Sequence, residues 1–92
     1  MTAYVFDIET NSIEDVTEIF CIVALDIETG VIHAFNPDNL EEAYDLLKKA
    51  DILIGHNIVN YDIPWIKKIS GVDLSDKEVI DTLVVSLSLI HI

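Results

Sequence analysis

The sequence predicts a mixed α/β domain, a three-strand antiparallel meander followed by parallel strands with helices on the sheet faces. Three observations predict it. Apolar runs rich in β-branched and aromatic residues come first, at residues 3–9, 17–27 and 31–35, with no helical periodicity between them. Helical spacing begins only at Leu40, where Leu40, Ala43, Tyr44 and Leu47 recur at i, i+3, i+4 and i+7. A short, wholly apolar run, Ile52-Leu53-Ile54, then returns to the character of a central strand buried on both faces.

The first strand, residues 3–9, runs from Tyr4-Val5-Phe6 into Asp7-Ile8-Glu9. Side chains alternate along a strand, so Asp7 and Glu9 project side by side near its end while Ile8 turns into the sheet. A polar break at residues 11–15 separates it from the second strand, residues 17–27. Glu28-Thr29-Gly30 is a turn in which Gly30 can take a positive φ, and residues 31–35 close the hairpin. Asn36-Pro37-Asp38 is helix-start chemistry, with Asp38 and Glu41 expected as a capping pair for a helix over 39–50. Residues 51–55 form the fourth strand and 56–61 a loop. Pro64 suits the first turn of a second helix lined by Ile63, Ile66 and Ile69, and Gly71 stops it. A short fifth strand at 77–80 and a last helix at 81–91 complete the order β-β-β-α-β-α-β-α. Open sheets of this kind place their sites at strand ends.

Ninety-two residues make one domain, and 51% apolar content allows a core. Five lysines, no arginine and seventeen acids give a formal charge of −12. That balance argues against a sequence-independent grip on a phosphate backbone through basic contacts. A nucleic-acid substrate would need cations to offset the acids, or a basic surface from elsewhere. Glu14, Asp15, Glu18, Glu42 and Asp45 read as solvated surface. Cys21, the one cysteine, lies in an apolar run and reads as a buried, reduced thiol, which fits a cytosolic setting. The N-terminus lacks a secretion pattern, and the apolar-rich residues 79–92 are interrupted by polar ones and too short to span a bilayer.

Two acidic clusters carry the chemistry. The crowded oxygens of Asp7 and Glu9 suit a hard divalent cation such as Mg²⁺. The second cluster is Gly55-His56-Asn57-Ile58-Val59-Asn60-Tyr61-Asp62, where a buried strand ends, a polar loop follows and Asp62 stands at a helix start. Capping alone also favours an Asp there, and His56 and Asn57 also suit a purely structural role satisfying loop backbone.

Taken together and in order, these segments resemble the DEDD-type (DnaQ-like) 3′–5′ exonucleases, and most of all the proofreading domain at the start of phage family A DNA polymerases. Phe6-Asp7-Ile8-Glu9-Thr10 matches the first exonuclease motif, Asp-x-Glu. Asn57 to Asp62 matches the second, Asn followed by Tyr-Asp, and Ile80-Asp81-Thr82-Leu83 is similar to the Asp-Thr-Leu that opens the next helix. The resemblance implies a ribonuclease H-like fold and hydrolysis of a 3′-terminal phosphodiester assisted by two Mg²⁺ ions, with Mn²⁺ as the alternative. By position, Asp7, Glu9 and Asp62 would be the catalytic metal ligands. Thr10, Asn57 and Tyr61 would contact the terminal nucleotide. It further implies a single-stranded 3′ end as substrate, DNA before RNA, a polymerase domain in the parent protein, and the cytoplasm of a bacterium or phage-infected host, away from membranes.

One departure stands out. The third motif, a Tyr or His with an Asp four or five residues later, has no counterpart, because no Asp or Glu follows Asp81. The expectation is therefore that residues 1–92 are the N-terminal part of a single exonuclease domain, C-terminally truncated and inactive or nearly so alone, with a sheet face left open to self-association. The alternative is a degenerate, non-catalytic exonuclease-fold module that contacts protein or nucleic acid. Single residues also have plainer readings. The second Asp-Ile-Glu-Thr, at residues 26–29, reads as a turn, Asp81 as a helix N-cap, Trp65 as packing, Lys67 and Lys68 as a solvated helix face, and His33 as surface.

Overall fold

The structure, a computed structural model, describes residues 2–11 and 18–82. Its elements are β1 (Ala3–Thr10), β2 (Ile19–Asp26), β3 (Ile32–Phe35), α1 (Leu40–Lys48), β4 (Ile52–Gly55), α2 (Ile63–Ser70) and β5 (Glu78–Asp81). The strands form one mixed sheet in the order β3-β2-β1-β4-β5. Antiparallel pairing joins β1 to β2 and β2 to β3, and parallel pairing joins β1 to β4 and β4 to β5. The predicted meander and crossovers are present in that order. The expected helix at 81–91 lies, from residue 83 on, outside the described residues.

Alternation sorts the sheet into two unlike faces. Tyr4, Phe6 and Ile8 of β1, Ile22 and Ala24 of β2 and Leu53 of β4 are buried, together with Ala43, Tyr44 and Leu47 of α1 and Ile63 and Ile66 of α2. Both helices therefore serve the same core, and each does so through one apolar stripe. The opposite face holds a row that crosses all five strands in register: Ile32, Leu25, Val5, Ile54 and Ile80. Val5, Ile32 and Ile80 in that row are exposed, as is neighbouring Val23. The wholly apolar β4 is thus covered on one face and half-open at Ile52 and Ile54 on the other, which corrects the reading of a strand buried on both sides.

Local chemistry differs from expectation at four points. The cap before α1 is an Asn pair rather than Asp38 with Glu41. Asn36 Oδ1 accepts from Asp38 N at 3.0 Å, and Asn39 Oδ1 accepts from Asn36 N at 2.7 Å, around the 3₁₀ turn Pro37–Asn39. An Asn side chain reaches backbone donors two and three residues away within that tight turn. His33 is half-buried between Tyr4 and Phe35, with ring centroids 6.3 and 6.4 Å away, because its register opposite Ala24 turns it inward. Cys21 is free but half-buried rather than buried. The loop after β4 contains a π-helical turn, Ile58–Asp62, that runs straight into α2. The repeated Asp-Ile-Glu-Thr does form a turn, with Asp26 Oδ1 accepting from Glu28 N and Thr29 N at 2.9 and 3.3 Å.

Candidate active site

The site forms where β1 loses a neighbour. β4 pairs with β1 only through Ala3, Tyr4 and Val5, so among the described residues the far half of that β1 edge has no strand beside it. Gly55 marks the divergence. A Cβ there would lie 2.8 Å from the Phe6 carbonyl oxygen and 2.4 Å from Ile58 Cγ2, so only glycine allows the chain to pass so close. Asn57 follows in the left-handed region at φ 59, a conformation that Asn tolerates better than most residues. The π turn then carries Asp62 back to β1.

Asp62 takes the place of the missing strand. Its Oδ2 accepts a hydrogen bond from Ile8 N at 3.2 Å, a backbone donor that β4 no longer reaches. The side chain is 3% exposed. Burial, and after it the negative charge of Asp7, pushes the Asp62 carboxyl from 3.8 up to about 7, against the lowering pull of the Ile8 hydrogen bond. Asp81 adds to the rise. Asp7 and Glu9 are exposed on the same face of β1, the face opposite the helices. A register irregularity between Glu9 and Thr10 re-aims the strand end. There, Thr10 Oγ1 and Tyr61 Oη lie 2.6 Å apart, tying β1 to the turn that bears Asp62.

Of the predicted residues, then, Asp7 and Asp62 share one electrostatic environment, and Thr10 and Tyr61 touch. Glu9 extends the acidic face without touching them, and Asn57 stands at the start of the turn. Among the described residues, no three His, Cys, Asp or Glu side chains already form a group that could hold a metal ion. The donor chemistry nonetheless fits a hard cation. A buried carboxylate penalised by a second one is relieved when a divalent ion sits between them, and oxygen donors are what Mg²⁺ takes. Trp65 is half-buried, edge-on to Tyr61, with Lys68 Nζ 4.7 Å from its ring centroid, which agrees with the packing reading.

Asp81 has a role that its own neighbourhood does not announce, while the helix it was expected to cap lies, from residue 83 on, outside the described residues. It is a buried side chain at the end of β5 whose Oδ1 accepts from Asn57 N at 2.8 Å and whose Oδ2 accepts from Val59 N at 3.1 Å. No local pattern could reveal that, because the partners lie more than twenty residues upstream and meet Asp81 only through the parallel register of Gly55 with Asp81.

No family model matches the sequence. The DNA-directed DNA polymerase of Enterobacteria phage T3 is 34% identical to it over 98 residues, an alignment that takes in 95% of this chain and 14% of the polymerase. The chain is thus homologous to a stretch of a phage DNA polymerase and spans well under two thirds of that relative. Among solved structures, the family B DNA polymerase of the hyperthermophilic archaeon Pyrobaculum calidifontis superposes with a TM-score of 0.68 at 15% identity, over 89% of this chain and 15% of that one. The fold is therefore one that also occurs within a family B polymerase. No helix among the described residues is long and apolar enough to cross a membrane.

Proposed function

We propose that this chain carries the first two motifs of a metal-dependent 3′–5′ exonuclease of ribonuclease H-like fold, acting on single-stranded DNA 3′ ends in a DNA polymerase context. The observation that carries the reading is the placement of Asp62. The turn that follows neighbouring β4 buries it against β1, beside Asp7, at a cost to its ionisation that a cation would relieve. The homology to a phage DNA polymerase supports the context.

In this reading Asp7 and Asp62 would hold two Mg²⁺ ions, and Glu9 would hold one of them or the terminal nucleotide. When bound, such ions supply Lewis-acid stabilisation of the scissile phosphate and a water acidic enough to attack it. The chain itself does the positioning. Ile8 N–H fixes one Asp62 oxygen against β1. The Thr10 and Tyr61 hydroxyls tie the end of β1 to the turn, and Asn57 starts that turn in a left-handed backbone. Without ions the acidic face repels the phosphates, so cleavage depends on them.

The test is cleavage of a 3′-labelled single-stranded oligonucleotide by the purified chain, with Mg²⁺ or with EDTA. Cleavage that needs Mg²⁺ and is lost in Asp7→Ala is the expected result for a competent site. In a chain with no counterpart of the third motif, the same residues are expected to bind Mg²⁺ without turnover. A second reading, a non-catalytic module, is favoured by the lack of a preformed three-ligand group among the described residues. It predicts no site-specific Mg²⁺ binding, or binding that Asp62→Asn leaves intact.

A further inference from the structure

We infer that Asp81 is a positioning residue of this site, holding the turn that delivers Asp62. The inference rests on the exonuclease reading for its purpose, and on hydrogen bonds alone for its geometry.

The turn Ile58–Asp62 begins with backbone donors that need partners. Asn57, the residue before it, makes no side-chain cap and stands at φ 59. The cap comes from another strand. Asp81 gives one oxygen to Asn57 N and the other to Val59 N, at 2.8 and 3.1 Å. A carboxylate suits both donors at once, since it offers two acceptors and no competing N–H, and negative charge is favoured at the start of a helical turn. The neighbouring contacts strengthen the clamp. Asp81 pairs in register with Gly55, whose missing Cβ lets the loop pass. Thr82 Oγ1 donates to the Gly55 carbonyl at 3.4 Å and lies 3.0 Å from His56 Nδ1. The turn is therefore held at its start by Asp81 and at its end by the bond between Asp62 and Ile8. Only Asn60 and Tyr61 lie between the Val59 and Asp62 attachments, so releasing the first is transmitted to the second.

A buried carboxylate this close to Asp62 carries a cost, because its charge raises the Asp62 carboxyl further. A purely structural cap could be neutral. The bidentate geometry is what distinguishes Asp from Asn at this position: Asn would satisfy one donor and turn an N–H₂ against the other.

The test is amide hydrogen exchange of the metal-free chain, with Ile8 N–H reporting the position of Asp62. In Asp81→Asn, the amides of Asn57, Val59 and Ile8 are expected to exchange at least tenfold faster, while Ile22 and Leu53 in the core keep their protection. Mg²⁺-induced shifts around Asp7 should need at least tenfold more metal. Unchanged exchange at Ile8 would overturn the inference, even if Asn57 and Val59 exchange faster. If Asp81→Asn loses core protection, Asp81→Glu, which keeps the charge and displaces it by one methylene, replaces it. Wild-type protection of Ile8 in that variant equally overturns the inference. A wild-type chain that shows no Mg²⁺ response would sink the exonuclease reading alone, since the exchange at Ile8 judges the clamp separately.

Discussion

Asp62→Asn tests the electrostatics of the site without touching its shape. The folded state raises the Asp62 carboxyl from 3.8 to about 7. A group raised in the folded state contributes stability that is complete below its unfolded value and is lost as pH rises through its folded value. At about 1.4 kcal/mol per unit, the shift amounts to about 4 kcal/mol lost between pH 4 and pH 8. Exposed Asp7 brings solvent to the rim of the site, and screening there reduces the figure to about 2 kcal/mol. Asn keeps an oxygen for the Ile8 N–H and never ionises. In urea denaturation without metal, the variant should therefore match the parent within about 0.5 kcal/mol at pH 4 and exceed it by about 2 kcal/mol at pH 8. Mg²⁺ at pH 8 should stabilise the parent and leave the variant unmoved. A difference of the same size at both pH values would refute the reasoning, because a packing or hydrogen-bond effect has no pH dependence.

Two further substitutions probe the scaffold. Gly55→Ala places a Cβ 2.8 Å from a backbone oxygen that cannot turn aside, and should destabilise the chain by about 1–3 kcal/mol in the same denaturation assay. The Thr10 and Tyr61 hydroxyls, 2.6 Å apart, form one unit: Thr10→Val and Tyr61→Phe should each cost about 1 kcal/mol, and the double variant much less than their sum in a thermal-melt cycle.

The succession of strands and helices along the chain, the meander and the inward face of β1 were legible because period-two and period-3.6 patterns are local and the chain obeys them. As candidates, Asp7, Glu9 and Asp62 stood out only as an ordered set. Nothing about residues 58–62 by themselves announces a π turn, and nothing near Asp81 shows that its partners are Asn57 and Val59. Those features arise from parallel register between β4 and β5, a tertiary relation that sequence spacing does not encode. The inward turn of His33 has the same origin. It follows from pairing with Ala24, and a one-residue slip would have put it outside.

The partly exposed row from Ile32 to Ile80 bears on the strength of the site as well as on packing. Asp7 stands on that same face, one β1 position beyond Val5 in the alternation. While water lies over the row, the field of Asp7 and Glu9 is damped by a medium of high dielectric constant. Any body laid across the row would dry the floor beside Asp7, raise the cost of its uncompensated charge and deepen its attraction for a cation by the same stroke. Occupancy of an apolar surface several strands wide would then act as a gain control on the acidic site at its edge.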